Sequence, residues 1–107
     1  MFVKNRSHYE KQSLVFKALA HPARLFMVEQ LVAGEKCVCE LTAMLELDTS
    51  TVSKHLSVLK NAGVLSDQKR GLQVFYSIKM TCVPGFFSCV QKSLDEEARE
   101  HLSASTA

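Results

Sequence analysis

The four glycines and two prolines of this 107-residue chain fall almost entirely where the spacing of its apolar residues changes, so they act as punctuation between elements. Residues 7–19 place Tyr9, Leu14, Phe16, Ala18 and Leu19 at loosely helical spacing. Pro22 then suits the first turn of a second helix, where the donor it lacks would be unpaired anyway. That helix, 23–33, repeats Leu25, Val28, Leu31 and Val32 and stops at Gly34. A short third helix is expected over about 38–45 with Val38, Leu41, Met44 and Leu45 inward. A fourth, capped by Asp48, carries Val52, Leu56 and Leu59 on one face and ends at Asn61-Ala62-Gly63. The period then shortens. VLSDQKR and LQVFYSI are two β-rich runs broken at Gly71, which predicts a hairpin over 64–70 and 72–79. A last helix follows Pro84-Gly85, from Phe86 to about His101, with Phe86, Phe87, Val90 and Leu94 available for packing.

The predicted fold is therefore mainly α with a β-hairpin, in the order α-α-α-α-β-β-α, as one domain spanning residues 1–107. With 47% hydrophobic and 22% charged residues the composition is that of a globular protein and excludes disordered and collagen-like chains. No apolar run reaches the roughly 20 residues of a membrane helix, and MFVKNRSHYEK has no apolar signal-peptide core, so the expected location is cytoplasmic, with no membrane partner.

Charge is concentrated. Residues 49–79 hold Lys54, Lys60, Lys69, Arg70 and Lys79 against Asp67 alone, and no acid occurs between Thr49 and Ser66. The third and fourth helices, about 38–62, are short and joined across Glu46 to Thr49, the proportions of a helix-turn-helix. With its apolar stripe turned inward, the fourth helix shows Ser50, Thr51, Ser53, Lys54, Ser57 and Lys60 on its other side. Short hydroxyls allow close approach to phosphates and base edges, and lysines neutralise phosphate or bond guanine. A helix that merely covers a core more often shows Glu/Lys pairs there.

Val52-Ser53-Lys54-His55-Leu56-Ser57-Val58-Leu59, followed by Ala62-Gly63 and a basic hairpin, together with His-Pro-Ala-Arg at 21–24 and Gly-Leu-x-Val-x-Tyr at 71–76, resembles the winged-helix repressors of the ArsR/SmtB family. The resemblance spans about Leu14 to Ile78. It implies a homodimer formed by the first and last helices (the latter about 85–101), with two recognition helices in successive major grooves of double-stranded operator DNA. The hairpin, about 64–79, becomes a wing with Lys69, Arg70 and Gln73 near its tip, placed to contact phosphates or the minor groove. His55 is included among the DNA-facing residues, although a histidine on such a helix also serves as a packing and hydrogen-bonding group.

Four cysteines, Cys37, Cys39, Cys82 and Cys89, flank this unit. In a chain without an export signal they point to metal or redox chemistry rather than disulfide staples. Cys37 and Cys39 fall at the expected start of the third helix, where free amides and the macrodipole favour thiolate over thiol. Residues two apart in a helix point about 200° apart, so both sulfurs reach one ion only if Cys37 precedes the helix or its first turn opens. Glu35-Lys36-Cys37-Val38-Cys39-Glu40-Leu41 resembles the Cys-Val-Cys-Asp-Leu box of arsenic-responsive family members. The resemblance implies trivalent arsenic or antimony as inducer, with cadmium, lead or zinc as other thiophilic candidates and no organic cofactor. A further cysteine common in that box is Thr42 here, so a third sulfur would come from Cys82 or Cys89, unless one pair forms the site and the other packs as small apolar side chains. The zinc set known from the family's last helix is not reproduced by Asp95, Glu96, Glu97, Glu100 and His101.

The expected function is a dimeric, metalloid-released repressor and not an enzyme. The alternatives are a thiol redox or persulfide sensor of the same fold, with a disulfide between the two cysteine pairs, a winged-helix module that does not bind DNA, and a thiol oxidoreductase. The last is supported only by the tight Cys-x-Cys spacing, because no Cys-x-x-Cys follows a strand and no catalytic Ser/His/Asp set or phosphate loop appears.

Overall fold

The computed structural model describes the backbone of residues 1–106 and the side chains of 1–103. One 3₁₀ turn, Val3–Asn5, leads into α1 (Arg6–Leu19); α2 (Pro22–Gln30) runs on into a 3₁₀ turn, Leu31–Ala33. Then come β1 (Lys36–Cys37), α3 (Val38–Leu45), α4 (Thr49–Asn61), β2 (Leu65–Arg70), β3 (Gln73–Ile78) and α5 (Val83–Thr106). Among the described residues no helix is long and apolar enough to cross a membrane.

Local chemistry sets the boundaries of the central unit. Asp48 caps α4 by accepting the Thr51 amide at 2.7 Å. At the other end the Gly63 amide bonds the Lys60 carbonyl (2.9 Å) and the Val64 amide the Leu59 carbonyl (3.0 Å), a Schellman closure that needs the left-handed backbone Gly63 adopts at φ +86°. Between α3 and α4 the chain reverses through Glu46, a non-glycine residue at φ +56°. Gly71, at φ +62°, turns β2 back onto β3, which pairs it antiparallel from Leu65↔Ile78 to Arg70↔Gln73.

The predicted order of helices and hairpin is present, with a short extra strand. β1 pairs antiparallel with the free edge of β3 (Lys36↔Tyr76, Cys37↔Phe75), making a three-stranded sheet in the order β1-β3-β2. Cys37 is thus extended, at φ −79° and ψ 161°, and lies directly before α3, which begins at Val38 as expected. The last helix also begins earlier than expected, at Val83. Pro84 sits in its first turn, where no amide is missed, and the Phe86 amide bonds the Cys82 carbonyl at 3.2 Å.

Leu41 of α3 and Val52, Leu56 and Leu59 of α4 are completely buried with Met27, Val28 and Val64, and Leu31, Leu65, Tyr76 and Val83 close the core around them. Some inward assignments fail. Met44 and Val32 are exposed and Leu25 is 38% exposed, whereas Met27, two positions on from Leu25, joins Val28 and Leu31 in the core. The inner face of α2 packs toward α4 along Met27 and Val28, with Leu31 just beyond its end.

Leu56→Ala removes a fully buried side chain from α4 and is expected to destabilise the fold by about 3 kcal/mol, against less than about 1 kcal/mol for Val58→Ala on the outer face. Urea denaturation followed by circular dichroism measures both.

Candidate nucleic-acid interface

Burial of Val52, Leu56 and Leu59 leaves the opposite side of α4 open. Ser50, Lys54, Ser57 and Lys60 are exposed there, and Thr51 and Ser53 half-buried. The hydroxyls near the N-terminus already have work within the helix. Ser50 Oγ donates to Asp48 Oδ1 at 2.7 Å, and together with the Thr51 amide and hydroxyl it holds the Asp48 carboxyl down at about 2. These bonds hold the start of α4 together.

The cations divide into free and paired. Lys54 on α4 and Lys69 on β2 are exposed and hold no side-chain bond, as do Ser57 and Gln73. Lys60 Nζ donates to Asp67 Oδ2 at 3.0 Å. Arg70 is engaged by Glu35 through both carboxylate oxygens, an ion pair between segments 35 residues apart. Asp67 stood out as the lone acid of the basic stretch, but nothing local in the sequence marks Glu35 as a partner.

His55 departs from the outward set. Its Nδ1 accepts Arg24 Nε at 3.0 Å, its ring centroid lies 4.5 Å from that of His21, and Arg24 also donates to the Ala18 carbonyl at 3.3 Å. Half-buried and bonded to the start of α2, it ties α4 to the His21-Pro22-Ala23-Arg24 turn, in which His21 Nδ1 itself accepts the Ala23 amide. The α2 residues are what the sequence reading missed: the His-Pro-Ala-Arg motif supplies His55 with its partner.

The cysteine box lies against both α4 and the hairpin. Cys37 is the N-cap of α3: the Glu40 amide donates to its Sγ at 3.3 Å, and Glu40 Oε1 accepts the Cys37 amide at 3.2 Å. Because Cys37 is extended and Cys39 lies in the first helical turn, their sulfurs meet, and the structure joins them as a disulfide with Cα atoms 5.3 Å apart. A groove of about 320 Å³ opens beside them, lined by Cys37, Val38 and Cys39, by Thr49 and Ser53 of α4, and by Leu72, Gln73 and Val74 of the hairpin. Cys82 and Cys89 are free and exposed at the start of α5. Among the described residues no three His, Cys, Asp or Glu side chains converge to hold an ion, so the expectation that Cys82 or Cys89 completes a site with Cys37 and Cys39 is not met within one protomer. Nor is the disulfide formed between the two pairs.

Burial, then the positive charges of His21 and Arg24, push the His55 imidazole below the ordinary histidine value. The unfolded chain therefore binds the proton more readily. The stability contributed by neutral His55 is complete above its unfolded value of about 6.5 and is lost as pH falls below it, when the proton also displaces Arg24 from Nδ1. Urea midpoints are expected to drop between about pH 7.5 and about pH 5.5, and to drop less in His55→Gln, which accepts a bond without titrating.

The family profile described as "Bacterial regulatory protein, arsR family" matches residues 21–67, from the His21 turn to β2. The arsenic resistance transcriptional regulator ArsR1 of Pseudomonas putida (strain KT2440) is 38% identical over 91 residues, covering 84% of this chain and 70% of that protein. Among solved structures, Rv0081 of Mycobacterium tuberculosis superposes with a TM-score of 0.77 at 32% identity, covering 88% of this chain and 95% of that one. The homodimeric winged helix-turn-helix DNA-binding domain of Mb0332 from Mycobacterium bovis does so at 0.76 and 28% identity, covering 86% and 85%. The hairpin and its extra edge strand are accordingly the wing, α3 and α4 are the helix-turn-helix, and the chain belongs to the ArsR/SmtB family of winged-helix transcriptional regulators.

Proposed function

We propose that this protein is a homodimeric repressor that binds operator DNA through α4 and the wing and is released when trivalent arsenic or antimony binds Cys37 and Cys39. The observation that carries this reading is the groove in which the two sulfurs share walls with Thr49 and Ser53 of α4 and with Leu72–Val74 of the wing. The donor chemistry fits the ion. Two soft sulfurs converge at a helix start beside open space. In the reduced protein Cys37 and Cys39 would supply two thiolates to the ion, with further donors coming from outside this pair. Because Cys37 is at once the cap of α3 and a strand partner of Phe75, a ligand on its sulfur loosens the cap and shifts the helix-turn-helix against the wing.

The DNA face comprises Ser50, Thr51, Ser53, Lys54, Ser57 and Lys60 on α4, with Lys69, Arg70 and Gln73 on the wing. His55 orients that face from behind. Dimerisation uses the apolar surfaces that α1 and α5 leave uncovered: Phe16 and Phe86 meet edge to face at 5.9 Å, and Leu14, Val90 and Leu94 are exposed around them. A radius of gyration of 17.1 Å, against about 13 Å for a compact chain of 100 residues, reflects these projecting helices. The relatives favour both parts of the reading, one being an arsenic resistance regulator and another a homodimer.

A second reading, release by oxidation, is favoured by the disulfide itself. Two thiols lose two electrons and two protons to an oxidant such as a hydroperoxide, and the sulfurs an ion would need are consumed. The two signals exclude each other at one pair.

Fluorescence anisotropy of the reduced protein on DNA from upstream of its own gene, titrated separately with arsenite, antimonite, cadmium and hydroperoxide, tests both readings. Arsenite or antimonite is expected to release the DNA from the wild type and not from Cys39→Ser. Release by hydroperoxide alone would make the pair a redox switch. Lys54→Ala is expected to weaken binding about tenfold and to flatten the salt dependence by about one phosphate contact; unchanged binding would remove α4 from the interface.

A further inference from the structure

Arg70 ends β2 beside the Gly71 turn, at the place where the wing reaches out, yet its guanidinium is already committed. Nη1 and Nη2 donate to the two carboxylate oxygens of Glu35, the second at 3.1 Å, and Nη2 also donates to Gln68 Oε1 at 2.8 Å. The Phe75 ring lies beneath, with its centroid 4.9 Å from Cζ. A planar fork of donors fits a carboxylate and a phosphodiester in the same bidentate way. One edge of one guanidinium cannot serve both at once. The two side chains are 45% and 42% exposed, so the pair is open to exchange with an anion arriving from solution.

We propose that Glu35 is an intramolecular competitor of the DNA backbone: in the free protein its carboxylate takes the position of a phosphate on Arg70, and the wing engages DNA only by displacing it. Glu35 then sets operator affinity below what the basic charges of the wing would give alone. The inference rests on the reading that α4 and the wing form the DNA face. The ion pair is not needed to keep Glu35 in place, because the next residue, Lys36, is held by the β1 ladder opposite Tyr76. Removing the charge therefore frees Arg70 without unmaking the sheet. Lys60 and Asp67 form a weaker counterpart, in which a single ammonium that rotates freely can keep its acid and still reach a phosphate.

The test is a double-mutant cycle in reduced protein without inducer, by anisotropy on the same DNA between about 50 and about 300 mM salt. Glu35→Gln keeps an acceptor for Arg70 and removes the charge. It is expected to bind about fivefold tighter with its salt slope essentially unchanged, because Arg70 neutralises the same phosphate in both proteins and only the cost of displacing Glu35 is removed. In an Arg70→Ala background the same substitution should change affinity less than about twofold. Equal gains in both backgrounds would make Glu35 only a negative charge near DNA and overturn the proposal, as would unchanged or weaker binding by Glu35→Gln. Lys54→Ala, run beside it, separates the two failures: no effect there overturns the DNA face itself, and the proposal with it, whereas a normal loss there with no gain from Glu35→Gln overturns the competition alone.

Discussion

The outward face of α4 is placed by one inward contact, the burial of Val52, Leu56 and Leu59 against Met27, Val28, Leu31 and Leu41. With a helical repeat of 3.6 residues, three positions locked to zero exposure leave no rotational freedom for α4. Lys54, Ser57 and Lys60 are exposed because their neighbours are not. The same core receives Val64 and Leu65 immediately after the Schellman closure, so the wing leaves the recognition helix at a set angle. Two further bonds, from the Lys79 and Met80 amides to the Val64 carbonyl, return the other end of the hairpin to that point.

Much of this was legible in the sequence, because the signals were local. Asp48 at the cap, Ala62-Gly63 at the stop, Gly71 in the turn and the i, i+4, i+7 stripe of α4 each act within a few residues, and each holds. What escaped was non-local or too short to be periodic. A two-residue strand has no alternation to detect, so β1 became visible only once β3 offered it an edge. Its consequence for Cys37 is large, since it fixes that residue in extended backbone ahead of α3 and brings its sulfur to Cys39. A capping-box signal was present in Glu40, three positions on, although cysteine is an unusual residue to share it with.

The candidate site divides along the same line. The outward residues of α4 followed from periodicity and charge. Which of the cations were free did not, because Glu35 lies 35 residues from Arg70 and is brought to it by the pairing of β1 with β3. His55 shows the same dependence on tertiary context. Its position on α4 borders the outward face, but the Arg24 guanidinium and the His21 ring draw it back toward α2. Sequence spacing locates a Cβ, and the nearest hydrogen-bonding partner then decides where a ring of two nitrogens turns.

Cys37 joins the two halves of the molecule. Its backbone belongs to the sheet that carries the wing, its sulfur accepts the Glu40 amide in the first turn of the helix-turn-helix, and the same sulfur is bonded to Cys39. On the proposed reading no long-range pathway is required for a signal at this atom to reach DNA, since the wing and α4 are walls of the groove in which the sulfurs lie. Two states are needed that differ in the relation of α3 to β3, and a ligand that prefers one of them. Linkage then runs both ways: whatever factor the ligand removes from DNA affinity, bound DNA removes from the ligand's, because both draw on a single free-energy difference between those states. On the proposed reading such a sensor gains directness and loses independence, since its cysteines share their groove with the helix and hairpin proposed to face the DNA.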